Sequence, residues 1–260
     1  EGIFLSWHSP EAIAAVEPAG MAEFLLGSVF SGAAAYTSTL VAQYHGAGRP
    51  GRIGATTWQG IHFSVAAGAL VAAAALAAPL IFGRLGHGAL VQRYEATYFA
   101  IMCLGTPFAL LGSTLSGFFI GHGDTRTPMA AQIAAIALNA ILAYALVFGR
   151  FGLPAWGVAG AAVATVISQA AGTAILALCF VTPAHRRDYG TWAARGFDAD
   201  LMMRLVRFGL PSGFRLAVEV GAWMVFLFFV GRIGTEELAS TSIAWRINGV
   251  AFFPIVGLSE

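Results

Sequence analysis

Apolar residues run along this chain in seven stretches, at about 18–43, 53–82, 95–120, 128–149, 157–182, 208–231 and 239–258, with turn-forming residues between them. A hydrocarbon layer about 30 Å thick takes roughly 20 apolar residues at a rise near 1.5 Å each. Every stretch is therefore long enough to cross a bilayer. Inside them the residues are continuously apolar and rich in Ala, Gly and Leu, whereas membrane strands would alternate over segments of about ten residues. The pattern predicts helices, whose backbone groups are satisfied internally where water is absent. The expected fold is all-α, a polytopic transmembrane helix bundle.

The connectors refine this. Gly46–Arg52, Gly83–Gly88, Gly121–Pro128 and Gly149–Pro154 are short and hold Gly or Pro where a helix must stop. Residues 183–207 are longer and polar, with Arg186, Arg187, Arg195, Arg204 and Arg207. From Asp198 to Arg207 an acidic cap precedes apolar residues at Leu201, Met202, Leu205 and Phe208. That spacing predicts a short amphipathic helix at the membrane surface. Alternate loops divide the arginines eight to four, with the larger set in 44–52, 121–127 and 183–207. The positive-inside rule places that set in the cytoplasm.

Small-xxx-small spacings such as Gly117/Gly121 and Gly209/Gly213 predict close backbone approach between helices, since burial alone gives no attraction in lipid. Pro107, Pro211 and Pro254 each remove a backbone bond and permit a bend. Residues 11–32 can be laid over 236–257, an offset enclosing six spans that suits a protein of two six-helix halves. Cys103 and Cys179 fall mid-span and read as small core residues.

Composition agrees with the pattern: 58% hydrophobic and 10% charged is not a soluble balance. A net charge of +1 without a basic, aromatic-rich face gives no reason to expect nucleic acid. No phosphate loop, nucleophile elbow or His-Glu-x-x-His occurs, so the chain reads as a non-enzyme, with an ion gradient a simpler energy source than ATP. The chain opens on Glu1 without Met and stops as a span ends, which reads as an interior piece of a longer protein.

Chemistry is expected where charge enters a span, because a mid-bilayer charge costs about 2.5–3.5 kcal/mol on insertion scales. Glu219 is the leading candidate, with Arg215 at i−4 able to pair with it on one helix face. The alternatives are a structural ion pair or a cavity-facing carboxylate that binds a proton, a cation or a cationic substrate. Glu1, Glu23 and Arg246 are weaker candidates; Glu23 lies about a turn into its stretch, facing water or a neighbouring helix. Asn139, Thr165, Ser168 and Gln169 are neutral polar groups inside spans, a type that more often joins helices than lines a substrate path.

Several segments together resemble the multidrug and toxic compound extrusion (MATE) transporters. They are Ser9–Ala15, Val41–Gly48, Ser116–Met129, Gly157–Gln169, Gly209–Gly213 with Glu219, Val230–Gly234 and Ile247–Leu258. The resemblance implies twelve helices in two six-helix lobes around a cleft. This chain would hold the end of the family's first helix and helices two to six over 1–182, a cytoplasmic linker over 183–207, and helices seven and eight over 208–260. It implies a monomer in the cell membrane exporting small amphipathic or cationic compounds in exchange for H⁺ or Na⁺, with no other cofactor. The acidic position late in the first helix matches Glu1, where Asp is more usual, and the helix-seven carboxylate matches Glu219. An Asn on helix five matches Asn139, but the Asp four residues later is replaced by Ala143. Thr165 on helix six adds a hydroxyl. The loss at Ala143 leaves a first-lobe site with at most one acidic group, Glu1, and tilts the expectation toward protons. Phe30, Tyr36, Trp223 and Phe226 are expected to form apolar walls. Two rivals are a lipid-linked oligosaccharide flippase, against which the scarcity of in-span basic residues (Arg215 and Arg246) argues, and a non-transporting membrane scaffold.

Overall fold

In the computed structural model, the described residues are 4–5, 9–83, 88–150, 152, 154–233, 241 and 244. Their secondary structure is helical. Helix α1 is Pro10–Gly46 and α2 is Pro50–Ala73, which passes through a 3-10 turn at Ala74–Ala77 into α3, Ala78–Phe82. Then follow α4 (Ala89–Gly121), α5 (Arg126–Phe148), α6 (Val158–Phe180), the short α7 (Pro183–Tyr189) and α8 (Ala199–Ile233). Two compact units result, Glu1–Leu216 and Ala217–Glu260.

Five helical segments are long and apolar enough to cross a membrane: Ala15–Gly46, Pro50–Phe82, Ala89–Gly121, Arg126–Phe148 and Val158–Phe180. They match the first five apolar stretches. The sixth lies inside α8. The seventh, the repeat copy at 236–257 and Pro254 lie almost wholly outside the described residues.

Helix ends follow local chemistry. Ser9 caps α1 by accepting from Ala12 N–H at 3.1 Å. Asp124 Oδ1 accepts from the N–H groups of Arg126 and Thr127 at the start of α5. Its Oδ2 accepts from the Thr127 hydroxyl at 2.6 Å. That hydroxyl is the main reason the Asp124 carboxyl is held below its ordinary range. Gly149, with φ 66°, closes α5 in the left-handed conformation that glycine adopts without a Cβ penalty.

The amphipathic segment 198–207 requires a correction. It is not a separate surface helix but the first turns of the continuous α8. Nothing between Arg207 and Phe208 breaks a helix, and Pro211 removes only one bond. Its apolar face packs inward, with Leu201 and Leu205 buried. The acidic cap is present, with Asp198 Oδ1 accepting from Asp200 and Leu201 N–H, both at 3.1 Å.

Glycines set the tightest contacts, as their spacing predicted. A Cβ on Gly117 would stand 2.9 Å from Ser38 N on α1, and one on Gly121 would stand 2.6 Å from Ser38 O. Gly209 meets the backbone of Ala33 and Gly213 that of Val29. On another side of α4, Gly68 of α2 approaches the Cα of Pro107.

The three arginine-rich loops gather at one end of the bundle. Arg52 reaches Asp198 at 2.9 Å, Trp58 Nε1 donates to Thr191 O at 2.6 Å, and the buried Gln59 Nε2 donates to Gly196 O at 2.9 Å. Residues 189–198 are thereby seated on the first turns of α2. His122, at the end of α4, lies between His45 and His185, with ring centroids 6.5 and 5.9 Å away.

Candidate functional site

A cavity of about 530 Å³ opens between α4, α5 and α6. Helix α4 contributes Ser113 and Ser116; α5 contributes Gln132 and Asn139; α6 contributes Thr165, Ser168, Gln169 and Thr173. Phe108, Ile136 and Leu176 add apolar surface, and no lining residue is charged. In a helix buried in lipid, such groups bond to a carbonyl of their own helix, to a neighbour or to whatever fills the space. Ser168 takes the first course, donating to Ala164 O at 2.7 Å. Thr173 takes the second, donating to Phe108 O on α4 at 2.8 Å.

Asn139 and Thr165, singled out from the sequence, meet at this wall. Asn139 Nδ2 donates to Thr165 Oγ1 at 3.1 Å, and Thr165 Oγ1 lies 3.2 Å from Ala161 O. The bond ties α5 to α6 across 26 residues of chain. Ser168 and Gln169 line the same cavity. The position four residues after Asn139 is sealed: Ala143 is fully buried with Leu146 and Ala164, and Phe4 packs against that cluster. A carboxylate there would sit among apolar side chains, so the alanine fits a core position.

Of the remaining candidates, Arg215 does not line this cavity. Glu1 lies outside the described residues. Arg215 and Glu219 are both exposed, four residues apart on α8. Of the expected apolar walls, Phe30 packs toward Phe63 at 6.4 Å, and Tyr36 stacks on Phe208 at 6.1 Å with planes 27° apart. Both are engaged between helices. Trp223 and Phe226 neighbour each other at 5.2 Å. Cys103 and Cys179 are free, Cys103 fully buried in the core.

Two carboxyl groups were under-read in the sequence. Glu23 faces a neighbouring helix, where Thr106 Oγ1 of α4 donates to its Oε1 at 2.6 Å. Glu95 is fully buried. It stands at the margin of its apolar stretch, but α4 starts six residues earlier and carries it almost two turns into the helix.

Five membrane-length helices, three of them lining an open cavity of neutral polar and apolar side chains, mark an integral membrane protein. The MatE family model matches residues 2–145 and 211–260, and the chain belongs to that family, the multidrug and toxic compound extrusion transporters. It is 30% identical over 252 residues to the "Probable multidrug resistance protein NorM" of Agrobacterium fabrum, covering 96% of this chain and 54% of that protein. It is 28% identical over 255 residues to the "Probable multidrug resistance protein YoeA" of Bacillus subtilis, covering 97% and 55%. The chain thus spans about half the length of the curated relatives it matches. Among solved structures, that of MATE in the straight conformation superposes with a TM-score of 0.85 at 24% identity, over 98% of this chain and 57% of that one. A MOP superfamily transporter from Pyrococcus furiosus superposes at 0.84 and 22%, over 98% and 56%. These two likenesses establish the fold.

Proposed function

We propose that the chain is the first lobe, and the beginning of the second, of a secondary active antiporter that exports amphipathic or cationic compounds across the plasma membrane. The observation that carries this reading is the neutral polar cavity with the Asn139–Thr165 bond in its wall. It offers hydrogen-bond partners without fixed charge, which suits transient contacts with chemically varied guests. Uncharged walls also speak against a flippase, whose pyrophosphate cargo needs basic partners. Relatives named as multidrug resistance proteins support the choice of cargo.

Glu219 and Glu1 serve as the ion or substrate carboxylates, Asn139 and Thr165 as neutral helpers, and Arg215 as the partner that holds Glu219 between turnovers. An ion changes the balance of inward- and outward-facing states only by binding one better than the other. With Ala143 in an apolar core position, the first-lobe site around Asn139 keeps at most Glu1 as an acid, which favours protons over Na⁺ as the coupling ion. The protein works as a monomer and needs no other cofactor.

The test uses full-length protein in proteoliposomes with a fluorescent cationic drug inside and imposed pH or sodium gradients. Efflux should follow the pH gradient, persist without sodium, and be lost in Glu219→Gln at normal expression. Unchanged efflux and coupling in that variant would favour a scaffold over a transporter.

A further inference from the structure

The seam between α1 and α4 holds a carboxyl that the reading above does not use. Glu23 is thirteen residues beyond the start of α1 and partly buried, and Thr106 lies mid-way along α4. Both sit within segments long and apolar enough to cross a membrane. Neither lines the cavity between α4, α5 and α6. Gly27 stands beside the pair: a Cβ there would lie 3.7 Å from both Glu23 Oε1 and Thr106 Cγ2.

The geometry around the Thr106 hydroxyl is what distinguishes this pair from simple helix glue. Its oxygen lies 2.6 Å from Glu23 Oε1 and 3.3 Å from Met102 O. A hydroxyl has one hydrogen to give and lone pairs to accept with. When Glu23 is ionised, Thr106 donates to the carboxylate. When Glu23 is protonated, its O–H donates to Thr106 Oγ1, whose own hydrogen turns to the Met102 carbonyl. Either state leaves both groups partnered, so a proton can come and go without stranding a donor in a low-dielectric seam. An ionised carboxylate at this depth is costly, so the pair belongs with the intramembrane groups that carry function.

We propose that Glu23 is a proton-binding residue of the transport cycle, with Thr106 as a hydroxyl partner that serves both protonation states. The proton leaves and returns as H⁺, with no other bond made or broken. Among the described residues, the other titratable groups along this seam are Cys103, one turn before Thr106, the buried Tyr98, whose ring faces Gly20 of α1, and the fully buried Glu95, eleven residues before Thr106. At 1.5 Å per residue Glu95 is about 16 Å away along the axis, beyond direct exchange. Glu17 lies six residues earlier on α1 and is exposed.

The role in transport rests on the antiporter reading; the protonation itself does not. Infrared difference spectra between acid and alkaline pH, on full-length protein in liposomes, should show a protonated-carboxyl band that Glu23→Gln removes. Thr106→Val should move that band to higher wavenumber, because the acid loses its partner. In the same liposomes Glu23→Gln should lose the dependence of efflux on the pH gradient, and Glu23→Asp should restore part of it. A band that survives unchanged in Glu23→Gln overturns the proposal, as does full gradient dependence in that variant. If Glu23→Gln does not fold, Thr106→Val decides: a shifted band supports the proposal and an unshifted one overturns it. A wild type that shows the Glu23 band but no gradient-driven efflux overturns the antiporter reading and the cycle role, while the proton site stands.

Discussion

Two sides of helix α4 solve the same problem in opposite ways. Toward α1 the helices meet backbone to backbone at Gly117 and Gly121, and that seam also holds a carboxyl clasped by a hydroxyl, Glu23 with Thr106. Toward α5 the same helix stands back while α6 stays bonded to it through Thr173 and Phe108 O, and neutral polar groups share with apolar ones the lining of about 530 Å³ of open space. Close contact allows charge only where a partner is built in. Open space tolerates polar groups because whatever enters can satisfy them. On the readings proposed above, the seam serves a proton and the cavity a larger guest.

Paired substitutions on α4 should break that contrast most sharply. Gly117→Ala drives a Cβ toward Ser38 N, which belongs to a helix backbone and cannot step aside. A loss of about 1–3 kcal/mol is expected, the usual cost of overpacking, read as a lowered thermal midpoint in detergent. Gly112→Ala on the cavity side meets only the Thr173 hydroxyl at 2.9 Å. It should cost well under half as much. Equal losses would mean that the seam is no tighter than the cavity wall. Next in size is Asn139→Leu, which removes the donor to Thr165 at the cavity wall. About 0.6–1 kcal/mol of stability should go, in keeping with interhelical hydrogen bonds in membranes.

The arginine-rich end, where α1 and α4 finish, sharpens the comparison through pH. Burial is the main reason the His122 imidazole is held below its ordinary range. The Phe118 carbonyl that it bonds at 2.6 Å and Asp124 work the other way, and His185 and His45 add to the lowering. A histidine whose folded pKa is depressed binds more protons when unfolded. Its contribution to stability is present above the unfolded value near 6.5 and falls as pH drops below it. Thermal midpoints taken from pH 7.5 to 5.5 should therefore decline in the wild type and decline less in His122→Gln. The smallest effect belongs to Arg52→Gln. Its bond to Asp198 at 2.9 Å is largely exposed, so about 0–1 kcal/mol is at stake. Asp198 keeps its low pKa chiefly through Leu201 N–H, so the cap of α8 should survive, as helical content by circular dichroism would show.

Much of this architecture was legible residue by residue. The first five apolar stretches are membrane-length helices, and Gly117/Gly121 and Gly209/Gly213 mark close approaches because only small residues permit them. Asn139 and Thr165 were visible as polar interruptions in apolar runs. Other features were hidden for identifiable reasons. Arg204 and Arg207 look like the end of a surface helix in a hydropathy pattern, but charge does not break helical hydrogen bonds, and α8 runs through them. Glu95 was hidden by a boundary, since hydropathy marks where apolar residues begin and not where the helix does.

From the order of residues alone came the solvent, the helices and the grouping of the loops at one end, because each depends on run length, turn chemistry and the count of arginines. The partnerships were decided in three dimensions. Thr106 finds Glu23 across 83 residues and Asn139 finds Thr165 across 26, and each meeting depends on how a helix is rotated about its axis. In a soluble helix an apolar stripe reveals that rotation. Here nearly every face is apolar, so the rotation is set by glycine contacts and interhelical hydrogen bonds that exist only once the bundle has formed.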